Sequence, residues 1–341
     1  MRHLNPAYFA LVMATGIVSI AALGFDLPTV AKALFAINVV AYVVLTALTL
    51  LRAAMLPRLL FADMADHRVG AGSFTVVAAS CLIGGQFLLI AGSRIAAVLF
   101  LILGAALWAG LTYTIFLVLT VKRVKPPLER GMSGLWLVAV VATQSVAVLA
   151  TLIARDWPAP GRGELEFGAL SMWLWGVMLY IWIISLIFYR YTYFAFSTRD
   201  VDAPSWIDMG AMAISTLAGV NLVQNAHDAP FLTALLPFLK GFTVFCWATG
   251  TWWIPMLLVF VAWRQFVDRT SPRYNPADWA AVFPLGMYSE ATRQMAATFD
   301  LPFLNFLAVA MFIVAAIAWA LAFAGLLWDL RNALKLPPTG L

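Results

Sequence analysis

Apolar residues in this chain fall in long continuous runs rather than at the spacing of an amphipathic helix or an alternating strand. Ten such runs can be read, at 6–24, 30–52, 72–91, 95–121, 134–154, 167–190, 206–225, 235–266, 279–299 and 303–330. Crossing a bilayer takes about 20 apolar residues, so the pattern predicts ten transmembrane helices joined by polar loops. The eighth and tenth runs are long enough to tilt or to protrude. No loop is long enough to fold as a soluble domain, so residues 1–341 are expected to form a single transmembrane domain.

Composition agrees with the pattern. The chain is 63% hydrophobic and 11% charged, with a mean hydropathy of +0.92, whereas soluble domains carry about 25% charged residues. The first run is longer than the apolar stretch of a cleaved signal peptide and is read as a span. Cys81 and Cys246 lie in apolar runs without a CxxC or Cys/His pattern, so they are expected to be packing residues rather than a disulfide or metal framework. His3, His67 and His227 are remote from one another, so no metal site is expected. No Walker-type loop or cofactor motif occurs. The net charge of +5 is spread without aromatic interleaving, so it is read as topology and no nucleic-acid partner is expected.

Ten spans place both termini on one side. Fifteen of the 21 Lys+Arg fall on that side, among them Arg2, Arg52, Arg58, Arg68, Lys122, Arg130, Arg190, Arg269, Arg273 and Arg331. Only Lys32, Arg94, Arg155, Arg162, Lys240 and Arg293 fall on the other. The positive-inside rule therefore predicts a multi-pass cell-membrane protein with both termini cytoplasmic.

A weak repeat runs through the odd-numbered spans. Each begins with Gly or Pro followed by an aromatic: Pro6 and Phe9, Gly72 and Phe74, Gly134 and Trp136, Pro204 and Trp206, Pro276 and Trp279. Either this is an interfacial aromatic belt, or five helical hairpins repeat about an axis, as internal repeats do in transporters. The Gly/Pro partner favours the second.

The ninth run, WAAVFPLGMYSEATRQ at 279–294, departs from the others. With Asn275 as cap and Pro276 in the first turn, Pro284 lies in the helix interior, where it lacks an N–H and crowds the carbonyl of Ala280. A break or kink at Phe283 is expected, and in a bilayer a break faces protein or water. The half-helix restarting at Leu285, Gly286 and Met287 would then aim N–H groups at an anion, with Phe283 as an apolar plug. The alternative is an ordinary proline kink with a lipid-facing Phe283. Helical spacing puts Phe283, Met287, Glu290 and Gln294 on one face. Glu290 and Arg293, at i,i+3, either neutralise each other, or Arg293 draws anions to the outer mouth while Glu290 tunes its field.

Neutral donors are candidates for a pore lining: Thr15 and Ser19, Ser80, Gln144 and Ser145, Ser215 and Thr216. Such groups replace hydration without trapping an anion. Hydrogen bonding between helices is the competing use. Gly16, Gly84, Gly210 and Gly219 would let backbones approach or widen a pore. Asp208 sits where a carboxylate suits a helix start, and Asn225, His227 and Asp228 close the outer end of the same span.

PAYFALVMATGIVS (6–19), GLWLVAVVATQSVAV (134–148), SWIDMGAMAISTLAG (205–219), WATGTWWIPML (247–257) and FPLGMY (283–288) together resemble the tellurite-resistance/dicarboxylate transporter (TDT) family. That family includes TehA-like proteins, plant slow anion channels and fungal malate and sulfite transporters. The resemblance covers essentially the whole chain. It implies an all-α membrane protein of ten helices in five hairpins, odd-numbered helices lining a central pore and even-numbered helices outside, as a homotrimer. It also implies a gating phenylalanine just before the proline of the ninth helix, which Phe283 matches. The function implied is transport of a small anion, whether C4-dicarboxylate, tellurite-like oxyanion or inorganic anion, through a pore gated by Phe283, without enzyme activity or cofactor. The alternative is a proton-coupled carrier exporting dicarboxylate or sulfite, for which Glu290 is the obvious titratable group of the ninth span.

Overall fold

The computed structural model describes residues 4–158, 160–268 and 274–335. Each apolar run forms a helix: α1 (Ala10–Gly24), α2 (Pro28–Met55), α3 (Thr75–Leu89), α4 (Arg94–Val121), α5 (Val138–Ala154), α6 (Arg162–Tyr193), α7 (Ile207–Asn225), α8 (Leu236–Asp268), α9 (Trp279–Thr298) and α10 (Asn305–Lys335). Among the described residues nine of these are long and apolar enough to cross a membrane. The remaining one, α9, has 20 residues but carries Ser289, Glu290, Thr292, Arg293 and Gln294 in its second half.

Burial divides the helices into two sets. In the most apolar stretches of α1, α3, α5 and α7, 72 to 94% of residues are buried, against 11 to 44% for α2, α4, α6, α8 and α10. Helix α9 joins the buried set, with 15 buried residues from Trp279 to Ala296. The buried helices form a closed ring, α1 against α3, α3 against α5, α5 against α7, α7 against α9 and α9 back against α1. Each of the other five lies along the outside of the ring helix that precedes it. The outer helices leave large apolar side chains such as Ile95, Trp182 and Leu321 exposed, as a lipid-facing surface requires.

The repeated Gly/Pro and aromatic motif is the entry to each ring helix. A 3-10 turn leads into all five, at Pro6–Phe9, Gly70–Phe74, Gly134–Leu137, Ala203–Trp206 and Pro276–Asp278, and these turns touch one another in the same closed order. Asn5 Oδ1 accepts from the Ala7 amide at 2.9 Å and Asn275 Oδ1 from the Ala277 amide at 2.9 Å, so the expected cap at Asn275 forms. At Gly134 the turns come so close that a Cβ would lie 2.3 Å from the Pro204 carbonyl oxygen. Only glycine fits there.

One expectation about α9 is overturned. The helix runs unbroken from Trp279 through Pro284 to Thr298, so no half-helix restarts at Leu285, Gly286 and Met287 and no N–H end is aimed at an anion there. The pyrrolidine ring lies against α7 at Gly210, where a Cβ would stand 2.7 Å from Pro284 Cγ. Packing between α7 on one side and α1 on the other holds the helix together despite the missing hydrogen bond. Gly286 is one of the α1 contacts, its Cβ direction blocked by Ile17 at 3.0 Å.

The basic residues separate to the two ends of the bundle. At the N-terminal end Arg52 donates to Asp63 at 2.6 Å and to the Leu4 carbonyl at 2.7 Å, and Arg190 to Asp200 at 2.6 Å. Arg94, Arg155, Arg162 and Arg293 occupy the opposite end, here called outer, with Arg162 paired to Asp228 at 3.0 Å. Arg2, His3, Arg269 and Arg273 lie outside the described residues.

Candidate functional site

Three cavities follow one another through the ring. The inner one, about 190 Å³, takes Met13, Thr75, Val141, Ile207 and Phe283 from α1, α3, α5, α7 and α9, with Asn5 and Pro276 of the entry turns at its rim. The middle one, about 40 Å³, takes Ile17, Leu82, Ser145, Ile214 and Met287 from the same five helices. Each of these lies four or seven residues beyond its inner counterpart, which is one or two helical turns. The outer cavity, about 270 Å³, shares Ile20, Leu89 and Gln294 with the middle one and adds Arg155, Gln224, Glu290 and Arg293.

One face of α9 borders all three. Phe283 lines the inner cavity, Met287 the middle, Glu290 the outer, and Gln294 both middle and outer. Phe283 is 1% exposed, so it does not face lipid, and it stands on the inner cavity's wall one helical turn before Met287 of the middle one. The Glu290–Arg293 pair forms as a fork, with Arg293 Nε at 2.9 Å and Nη2 at 2.8 Å from the two carboxylate oxygens, and Gln294 Nε2 adds a third bond at 2.7 Å.

Most of the neutral donors are occupied between helices. Each outer helix places an aromatic side chain against the next ring helix: Tyr42 hydroxyl with Ser80 at 2.8 Å, Trp108 Nε1 to Thr143 at 2.8 Å, Trp173 Nε1 to the Ser215 carbonyl at 2.8 Å, Trp247 Nε1 to Thr292 at 3.0 Å, and Trp319 Nε1 to Thr15 at 3.0 Å. The five bonds run α2 to α3, α4 to α5, α6 to α7, α8 to α9 and α10 back to α1. Ser19 donates to the Ala31 carbonyl of α2 at 2.8 Å, and Gln144 to the Trp173 carbonyl of α6 at 3.0 Å. Ser215 and Thr216 donate to carbonyls of their own helix, at Ala211 and Met212. Of the set, Ser145 borders a cavity, its hydroxyl bound to the Val141 carbonyl at 2.7 Å. Gly16, Gly84, Gly210 and Gly219 all sit at helix contacts, against Asn38, Leu149, Pro284 and Thr243.

Asp208 begins α7 as expected, but its side chain turns outward to accept from the Tyr191 hydroxyl at 3.1 Å. His227 pairs with Asp228 at 3.2 Å in the outer loop. Cys246 is buried in α8, while Cys81 of α3 borders the middle cavity. The residue missed in the sequence is Arg155, which reads there as one more basic residue beyond a span.

A ring of five buried helices, sheathed by five outer ones and threaded by a file of cavities, defines a multi-pass membrane protein of the transport class. The chain belongs to the SLAC1 family, the voltage-dependent anion channel family, whose profile matches residues 3–327. It is 33% identical over 154 residues to an uncharacterized membrane protein of Mycobacterium tuberculosis, covering 45% of this chain and 78% of that one. It is 22% identical over 318 residues to an uncharacterized transporter of Methanocaldococcus jannaschii, covering 92% and 90%. It is also 24% identical over 349 residues to a sulfite efflux pump of Trichophyton rubrum, covering 95% and 90%. These relationships make it a membrane anion-transport protein rather than an enzyme.

Proposed function

We propose that small anions cross this protein along the axis of the ring and that Phe283 is the gate. The observation that carries the proposal is the place of Phe283, buried on the wall of the inner cavity one helical turn before Met287 of the middle one, two cavities that the same five helices line. Removing its ring would join them. The whole chain acts as one transport domain, with Pro284 fixing the ring's position through its seat on Gly210.

The linings suit an anion. Among the described residues no ionised side chain borders the inner or middle cavity, and the polar groups there are neutral ones such as Thr75, Ser145 and Asn221. Neutral dipoles replace part of an ion's hydration without holding it. A cavity of about 40 Å³ takes one water-sized group or a little more, so a compact anion such as nitrate, chloride, sulfite or a tellurite-like oxyanion fits it better than a C4-dicarboxylate does. The basic end of the bundle is assigned to the cytoplasm, with both termini there, by the positive-inside rule. The path lies within one chain, and a homotrimer would carry three of them; mass measurement of the detergent-solubilised protein tests that assembly.

The test is anion flux from proteoliposomes for the native protein and Phe283→Ala, with chloride, nitrate, sulfite and malate. Severalfold faster passive flux of the compact anions in Phe283→Ala supports the gate. Unchanged flux in a folded variant removes it.

A second reading is a proton-coupled exporter. The fungal relatives named as sulfite efflux pumps favour it, as does Glu290, a carboxylate 1% exposed on the path helix. Saturable uptake that follows an imposed pH gradient and fails in Glu290→Gln supports this carrier; flux indifferent to the gradient excludes it.

A further inference from the structure

Two arginines border the outer cavity, and they are not equivalent. Arg293 is committed to Glu290 through two charge-assisted bonds at 2.9 and 2.8 Å. Arg155 touches only neutral oxygens, donating from Nη2 to Asn221 Oδ1 at 2.9 Å and to Gln224 Oε1. Its Nε is buried with no partner. Among the described residues no carboxylate stands within ion-pair distance of it. With two arginines and one glutamate on its wall, the lining of the outer cavity carries one more positive than negative charge, while Glu166 and Asp156 act on Arg155 and Asp26 on Arg293 from beyond that lining.

The guanidinium is also held in place. Asn221 Nδ2 donates to Thr151 Oγ1 at 3.2 Å and Gln224 Nε2 to Thr298 Oγ1 at 2.7 Å, which turns both amide oxygens toward Arg155. Asn221 itself borders the middle cavity, so the cation stands where the outer cavity narrows into the path.

We infer that Arg155 forms an anion-binding site at the outer mouth, taking a compact monovalent anion or oxyanion on the N–H groups that its amide partners leave unused. The site rests on the axial path proposed above and is independent of gating by Phe283. An ion leaving the wide outer cavity for one of about 40 Å³ must shed water, and a guanidinium, weakly hydrated and rich in donors, replaces that water at low cost. Burial pulls the Arg155 guanidinium below its ordinary pKa, with Glu166 and Asp156 opposing the shift; a bound anion relieves the same desolvation. Glu166 lies behind Arg155, its Oε1 accepting from Asn225 at 2.6 Å. The Glu290–Arg293 fork then sets the strength of the site, since its carboxylate faces the same cavity.

The experiment reads nitrate two ways: the half-saturating concentration for flux in proteoliposomes, and the nitrate-dependent rise in Tm of the detergent-solubilised protein, which reports binding without transport. Arg155→Gln is expected to raise half-saturation about tenfold, the scale of one charge-assisted contact, and to abolish the Tm rise. Glu290→Gln is expected to lower half-saturation by freeing Arg293. Native values of both readouts in Arg155→Gln overturn the site while leaving anion conduction standing. A native protein with no nitrate flux but an Arg155-dependent Tm rise keeps the site and removes the conduction reading. Should Arg155→Gln not fold, Arg155→Lys takes its place: a severalfold increase in half-saturation supports the site, and the native value overturns it.

Discussion

Gly210 and Pro284 behave as one unit. A proline inside a helix costs a hydrogen bond and crowds the preceding turn, and the notch left by the missing Cβ of Gly210 receives the ring. A methyl at 210 would sit 2.7 Å from Pro284 Cγ, an overpacking of the kind that costs about 1 to 3 kcal/mol. Gly210→Ala is therefore expected to lower the Tm of the solubilised protein, and Gly210→Ala/Pro284→Ala to recover part of the loss, because the second change removes the Cγ contact and restores an N–H while the contacts to Cβ at 2.8 Å and Cα at 3.1 Å remain. A single variant Gly210→Ala as stable as the native protein would show that the ring does not depend on this notch. The sequence alone showed Pro284 in the helix interior with Phe283 before it, but its helix rules treat one helix at a time. The partner that lets α9 stay whole lies on α7, far away along the chain, and so a break was expected where none forms.

At the scale of the helix, the aromatic bonds give Thr15 and Ser80 the alternative use read beside a pore lining, hydrogen bonding between helices. Helices apolar on every side carry no stripe that tells lipid from protein or protein from pore. Thr15 and Ser80 are each reached from an outer helix, as is Thr143, which was not a candidate. The entry turns were more legible, because Asn-Pro at 5–6 and 275–276 and the glycine at 134 carry local rules for caps and close approach. The Trp319–Thr15 bond joins the last helix to the first, and hydrogen bonds between membrane helices average about 0.6 kcal/mol in double-mutant cycles. Trp319→Phe and Thr15→Val are each expected to destabilise modestly, and their combination by about 0.6 kcal/mol less than the sum. Strict additivity in thermal or denaturant unfolding would mean that the bond contributes nothing to closing the ring.

Across the whole molecule, closure of the ring is what turns ten similar helices into a file of cavities, and it also fixes what a small reagent can reach. Cys81 borders the middle cavity at 3% exposure, while Cys246 is 0% exposed on α8, off the axis. If Phe283 separates the inner cavity from the middle one, removing its ring should open Cys81 to a compact thiol ligand and leave Cys246 closed. Mercuric chloride is expected to block anion flux through Phe283→Ala, to block it equally in Phe283→Ala/Cys246→Ala, and to lose its effect in Phe283→Ala/Cys81→Ala. Block that survives removal of Cys81 would route the ions outside the middle cavity and deny Phe283 its place on the path. Block that requires Cys81 would put the plug between the inner mouth and the wall that carries Cys81, whose sulfur lies toward Gly104 of α4, with Arg155 at the outer end.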